Sequence, residues 1–191
     1  MPDFYIQDKT FERKDFTQDV PQKGEYENCV FINCIFASCE LSEFRFVDCE
    51  FSGCNLSLAK IDKVLFRDIT FKNCKMLGIR FDTCDVFGLS FSFENCQLDH
   101  SSFYNLKLKK TVFKNASLRE TDFSYCDLTS AVFDNCDLAQ AIFENTYLEK
   151  ADFRTSYNYS IDPDINRIKK ARFSIDGVCG LLSKFDIEIE K

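Results

Sequence analysis

The chain has 191 residues, a net charge of −7 and a hydrophobic content of 45%. That suffices for one domain with a sizeable core, and no stretch approaches the roughly 18 apolar residues of a membrane span. The acidic balance argues against direct binding of nucleic acid, because phosphate contacts need Lys and Arg.

The start, Met1-Pro2-Asp3-Phe4, lacks a basic segment followed by an apolar one, so no secretion signal and a cytoplasmic location are expected. With 11 Cys in such a chain, free thiols in a reducing compartment are expected, not a disulfide framework. From Ile6, Phe11 and Phe16 onward, apolar residues recur at every fifth position, although Pro21 takes one of these places and predicts an irregular corner over 17–24. The series then runs unbroken from Tyr26 and Phe31 to Val86 and Phe91. A two-residue slip, placed at Ser92-Phe93, precedes a second run from Leu98 to Phe153 in which Leu and Phe alternate. Five is the period of neither an amphipathic helix, near 3.6, nor a half-buried strand, at 2.

A coarser period lies inside the fine one. Every fourth centre is Phe: Phe11, Phe31, Phe51, Phe71 and Phe91, then Phe113, Phe133 and Phe153. One turn is therefore twenty residues with four five-residue sides, and equivalent residues stack at the strand spacing of about 4.8 Å. The expected fold is an all-β solenoid, a four-sided parallel β-helix over residues 1–154, in which each repeat buries its apolar face only against its neighbours. About seven turns make a rod of roughly 34 Å.

The cysteines keep the same register. All but Cys179 lie two places before a centre, a position filled elsewhere by Ala59, Ser101, Thr121 and Ala141. A residue type confined to one position reports a small buried site, so the thiols read as core filler. Zinc needs four convergent ligands, commonly in paired CxxC spacing, and no such pair is present; no metal and no cofactor are expected. A nucleophilic Cys179 lacks a base, since the sole histidine, His100, lies some 80 residues away on an outer flank. Lys107, Lys109, Lys110 and Lys114 form one basic cluster, read as solvated outer wall.

After Phe153 the five-residue count fails, and residues 155–191 read as a separate capping segment. Asp162-Pro163 has the form of a helix start, and a second start at Ser174 leads into Val178, Leu181, Leu182 and Phe185 at helical spacing. Ile187 and Ile189 alternate with Glu188 and Glu190 as a short strand does. The expectation is a short α-helical cap whose apolar face, Val178, Leu181, Leu182 and Phe185, joins two copies into a homodimer.

Segments such as Ala131-Val132-Phe133-Asp134-Asn135 and Cys136-Asp137-Leu138-Ala139-Gln140 resemble the pentapeptide repeat proteins, with their small-(Asp/Asn)-(Leu/Phe)-polar-any consensus. The resemblance covers roughly residues 4–154 and implies right-handed coiling. The layout of the tail is similar to the quinolone-resistance (Qnr-type) and microcin-immunity subgroup. That likeness implies a non-enzymatic, DNA-mimicking homodimer that binds the type II topoisomerases DNA gyrase and topoisomerase IV, with protection from a quinolone or toxin as a consequence. The acids available for mimicry are Glu120, Asp122, Asp127, Asp134, Asp137, Glu144, Glu149 and Asp152, which the register spreads over all four sides. The drug-protecting members commonly carry longer loops than this chain has, which puts drug protection in doubt. The alternative is a structural scaffold with an unrelated partner, in which these acids serve solubility.

Overall fold

The computed structural model describes residues 4–185, 187 and 188. Its strands are short and all parallel. One sheet pairs β1 (Tyr5–Gln7), β3 (Glu25–Glu27), β5 (Arg45–Val47) and β7 (Leu65–Arg67) in that order. The other runs β2 (Thr10–Glu12), β4 (Val30–Ile32), β6 (Glu50–Ser52), β8 (Ile69–Lys72), β9 (Phe91–Glu94), β10 (Val112–Lys114) and β11 (Val132–Asp134). This is an all-β parallel solenoid of about six turns by its larger sheet.

Each turn contributes to four ladders. The first ladder is the smaller sheet, continued by bridges through Lys107, Asp127, Tyr147 and Arg167, and the second is the larger sheet, continued by Asp152 and Arg172. The third ladder links Asp15, Ile35, Asn55, Lys75, Gln97, Ser117, Asp137 and Tyr157; the fourth links Glu40 to Lys60 and Arg80 to Ser102, Asp122 and Ile142.

Phenylalanine fills the interior. On the second ladder Phe11, Phe31, Phe51, Phe71, Phe93, Phe113, Phe133, Phe153 and Phe173 form one continuous stack, with centroids 4.7–5.4 Å apart and planes within 4–24°. A second stack, Phe81, Phe103, Phe123 and Phe143, meets the first edge to face, as between Phe103 and Phe113 at 85°. Both geometries suit the ring quadrupole.

The small residues two places before the centres do more than fill space. Cys126 Sγ donates to the Phe103 carbonyl at 2.8 Å, and Cys54, Cys74 and Cys136 make the same bond to Phe31, Phe51 and Phe113 at 3.3–3.4 Å. Thr121, Thr146 and Ser156 use hydroxyls for it, donating to Leu98, Phe123 and Phe133. In each case the recipient is the centre 23 residues earlier, and where that carbonyl already accepts a backbone N–H, as Phe103 does from Leu106 at 3.1 Å, the thiol or hydroxyl supplies a second donor. This explains why Cys, Ser and Thr interchange there. Burial pushes the thiols of Cys49, Cys126 and Cys136 up to about 12, so they stay protonated.

The corners are left-handed. Two residues after nearly every centre φ is positive, from Asn28 at 49° to Gly88 at 70°; of the 25 positive-φ residues that are not glycine, 24 hold this place and Asn158 holds a centre position. Asparagine, which tolerates this region best among them, lines one corner, where Asn95, Asn115 and Asn135 each donate to the preceding asparagine's Oδ1 at 2.9–3.1 Å.

Three expectations need correction. The two-residue insertion lies at Val86–Ser90 and not at 92–93: Leu65 still pairs with Asp85, but Ile69 pairs with Phe91 and Phe71 with Phe93. Phe93 therefore takes the stack position assigned to Phe91. Val86, expected inside, is 69% exposed, and Phe91 packs against Phe81 in the space it leaves. The coil also passes residue 154, since Tyr147 pairs with Arg167, Asp152 with Arg172, and Phe173 extends the stack. The count breaks locally because Asn158 and Pro163 hold centre positions, while the neighbouring Tyr159 supplies a buried ring.

Third, the expected α-helical cap is absent from the described residues. Residues 163–165 form a turn, and the described tail holds only the 3-10 turns Val178–Leu181 and Ser183–Phe185. Two glycines at helix-interior positions cost about 1 kcal/mol each, and Gly180 is pinned: a Cβ there would lie 2.2 Å from the Tyr159 carbonyl oxygen. The segment still closes the last rung, for Ile161 N–H donates to the Gly180 carbonyl at 2.9 Å and Lys184 reaches Asp162 at 2.7 Å. Ile189 and Glu190 of the expected strand lie outside the described residues.

If twenty residues are one turn, deleting Ala116–Asn135 should leave a shorter rod that still melts cooperatively. Removing only Cys126–Ser130 rotates everything downstream by one side and should abolish the transition. For the small column, Cys126→Ala should cost about 1 kcal/mol more than Cys126→Ser, because serine keeps a donor for the Phe103 carbonyl; denaturant titration reads the difference.

Candidate acidic interaction surface

The eight acids do not form one stripe. Asp127 and Glu149 lie on the first ladder or its flanks, Asp134 and Asp152 on the second, Asp137 and Glu120 on the third, and Asp122 and Glu144 on the fourth. Register puts an Asp before a centre because its carboxylate closes the next corner. Asp122, Asp127, Asp137 and Asp152 each accept the backbone N–H two residues on, from Ser124, Thr129, Ala139 and Arg154, at 2.8–3.2 Å.

Their charges meet different fates. On the first and second ladders Lys109 approaches Asp127 to 3.1 Å, and Arg154 and Arg172 approach Asp152 to 2.7 and 3.7 Å. Asp134 accepts from the Thr155 hydroxyl at 3.0 Å. The Arg154 guanidinium holds the Asp152 carboxyl below the usual range. Partial burial disfavours the charged form of Asp127, yet hydrogen bonds from Thr129 and Lys109 outweigh it and its value is also lowered.

On the third and fourth ladders the acids keep their field. Residues 97–105, 117–125, 137–145 and 157–165 contain Asp99, Glu120, Asp122, Asp137, Glu144, Asp162 and Asp164 but only one Lys or Arg, Arg119. Arg119 stands 3.9 Å from Asp137, and His100 lies 3.3 Å from Glu120. Lys184 from the cap reaches Asp162 and Asp164. Among them stand exposed apolar side chains: Tyr104 and Tyr125, edge to face at 5.5 Å, with Ile142, Tyr157 and Ile165.

Half of the expected acids therefore share a cation-poor surface, and half sit among cations. Asp99, Asp162, Asp164 and the tyrosines had no place in the acid list. The signal that finds them is the twenty-residue turn itself, which sorts residues by ladder and not by local acid density.

The expected dimer residues also separate. Leu181 packs against the core and Leu182 is half-buried, whereas Val178 and Phe185 are exposed. His100 is exposed, as is Cys179, the one exposed thiol among the 11 cysteines. No helix among the described residues is long and apolar enough to cross a membrane.

Two family models match the chain: a pentapeptide repeat region over residues 90–158 and pentapeptide repeats (8 copies) over residues 27–62. Among solved structures, full-length QnrB1, a plasmid-mediated fluoroquinolone resistance protein, superposes with a TM-score of 0.57 at 14% identity, covering 96% of this chain and 100% of its own. HetL, a pentapeptide repeat protein involved in heterocyst differentiation regulation from Nostoc sp. strain PCC 7120, scores 0.29 at 10% identity, covering 87% of this chain and 89% of its own. No curated protein matches the sequence.

Asp152 supplies a pH test. Its folded pKa is depressed, so its stabilisation is present above the unfolded value of about 3.9 and is lost as pH falls through the folded value. Asp152→Asn should lower the melting temperature at pH 6 by a few degrees at most and leave it unchanged near pH 2. A melting-temperature profile over acid pH checks this.

Proposed function

The chain belongs to the pentapeptide repeat proteins, and on that premise we propose that it is a non-enzymatic binder of a type II topoisomerase, acting through its acidic third and fourth ladders. The carrying observation is the asymmetry of that half: its turns hold seven acids against one arginine, with Lys184 of the cap added only at Asp162 and Asp164, and the acids are interleaved with exposed Tyr104 and Tyr125. DNA attracts such an enzyme through regularly spaced negative charge, and a mimic must reproduce the field and not base contacts. Acids on successive turns of a rigid solenoid stand at multiples of about 4.8 Å, and exposed tyrosines supply the anchoring area a protein interface needs. The likeness to QnrB1 supports the fold, taken here as right-handed and quadrilateral; the topoisomerase is this reading's own step.

The reading includes a dimer joined at the capped end. Val178 and Phe185, with Ile175 and Ile187, are the exposed apolar residues of that end, while Leu181 and Leu182 serve mainly to seat the cap. Two rods joined there bring both acidic halves around one centre. The second reading, a scaffold with an unrelated partner, draws support from the structural duties of Asp127, Asp134 and Asp152.

The test is inhibition of supercoiling by the host gyrase, and of decatenation by topoisomerase IV. The full-length chain should inhibit at micromolar concentration, less so as salt rises, because exposed charges are screened. The triple variant Glu120→Gln, Asp122→Asn, Glu144→Gln should lose inhibition at least tenfold with an unchanged melt, since an asparagine carbonyl at position 122 still accepts the Ser124 N–H. Phe185→Glu should weaken both inhibition and dimerisation by sedimentation. Wild-type protein without effect on either enzyme at low salt returns the molecule to the scaffold reading.

A further inference from the structure

The other half of the same turns carries the opposite charge. Residues 106–116, 126–136, 146–156 and 166–176 hold ten Lys or Arg against five acids, although the whole chain is at −7. Lys107, Lys110, Lys150, Arg167, Lys169 and Lys170 all lie on the first ladder or its flanks, are exposed, and make no ion pair among the described residues.

Three of them occupy a conformation lysine does not favour. Lys110, Lys150 and Lys170 succeed one another, with Ser130 between the first two, along one corner at φ 61–62°. The backbone bonds Lys110 N–H to Thr129 and Lys150 N–H to Lys169 fix that succession. The left-handed region costs an ordinary side chain about 1 kcal/mol, and the neighbouring corner meets the same demand with Asn95, Asn115 and Asn135. Turn geometry therefore does not call for these lysines.

We infer that this basic corner binds the phosphate backbone of double-stranded nucleic acid without reading sequence. The cations point to a polyanion, and the scarcity of anchors along the lysines narrows its class. Exposed Val86 and Phe87 stand at the start of the corner, where Val86 shares a groove with Lys107. From Lys110 to Lys170, however, the large ring on the ladder, Tyr147, is covered by the Arg167 guanidinium at 4.4 Å, whereas a protein partner needs apolar or aromatic anchors. From Lys110 to Lys170 the corner advances three rungs, about 14 Å, against a duplex that carries one charge per about 1.7 Å of axis. Of the five acids on this half, Asp127 is paired with Lys109 and Asp152 with Arg154 and Arg172, and Asp134 accepts from Thr155, which leaves Glu149 and Asp176. The cation-poor acids lie on the third and fourth ladders, across a core of stacked rings, and screening at about 0.1 M salt acts over about 10 Å. The acidic net charge thus does not describe this face. The inference does not rest on the topoisomerase reading.

The full-length protein should be titrated into a fluorescent duplex of about 25 base pairs and mixed sequence. Binding is expected at about 50 mM salt, with a slope of log K against log salt near −5, a loss of about a thousand-fold by 200 mM. The variant Lys110→Asn, Lys150→Asn, Lys170→Asn should reduce the slope by nearly three and the affinity at least tenfold. Its melting temperature should hold or rise, because asparagine suits the corner. No binding at about 100 μM protein and 50 mM salt overturns the inference, as does a variant that binds like the wild type. Phosphatidylserine vesicles or polyglutamate competing as well as unlabelled duplex overturns it too, by assigning the face to another polyanion.

Discussion

Everything in this molecule depends on stacking one turn on the next. A five-residue side is too short to be stable alone, and none of the 11 strands exceeds four residues. What holds each side is the side twenty residues away: parallel backbone bonds outside and, inside, rings such as Phe113 on Phe133 at 4.9 Å. The fold tolerates 25 left-handed non-glycine residues because most corner N–H groups also bond along the stack, as Lys110 does to Thr129. The insertion at Val86–Ser90 shows the rule by its exception. The two extra residues are expelled to solvent, and the phenylalanine stack resumes at once with Phe93 on Phe71.

The same constraint governs charge. Neighbours in space are twenty apart, so ion pairs link successive turns: Arg45 with Glu25, Lys114 with Glu94, Lys60 with Glu40. Each is exposed enough to contribute little to stability, but together they decide where net charge remains. In the C-terminal half it remains twice, negative on ladders three and four and positive on the corner after ladder one. A rigid rod can keep two such fields apart, since neither surface can fold back onto the other. The tyrosines divide likewise, Tyr104, Tyr125 and Tyr157 standing exposed among the acids while Tyr147 on the basic face is covered by Arg167.

The interior column of Cys, Ser and Thr links composition to this architecture. A chain with 11 thiols invites metal or redox chemistry, yet ten of them are buried, and the hydrogen bonds of Cys54, Cys74, Cys126 and Cys136 run to centre carbonyls one turn back. Satisfying an inward carbonyl within a small volume is a demand that a thiol, a hydroxyl, or at Asn166 an amide, can meet. Thiol content here reflects hydrogen bonding in a narrow core.

The solenoid, its twenty-residue turn and its buried columns were legible in the sequence because a periodic fold writes its geometry as residue spacing. Phe133 and Cys136 declare their positions whatever surrounds them. The place of the insertion was not legible, since Phe91 and Phe93 satisfy the spacing equally and only the pairing of Phe71 chooses between them. The tail misled for a related reason. Val178, Leu181, Leu182 and Phe185 have helical spacing, but contact with Tyr159 forces Gly180 into a 3-10 turn, and Asn158 and Pro163 hide a rung that Arg167 and Arg172 complete. Net charge was the least informative reading of all. Composition sets how many acids and bases there are, and spacing sets which ladder each occupies. Which of them neutralise one another follows from the folded coil, because that depends on side-chain approach between turns and not on distance along the chain.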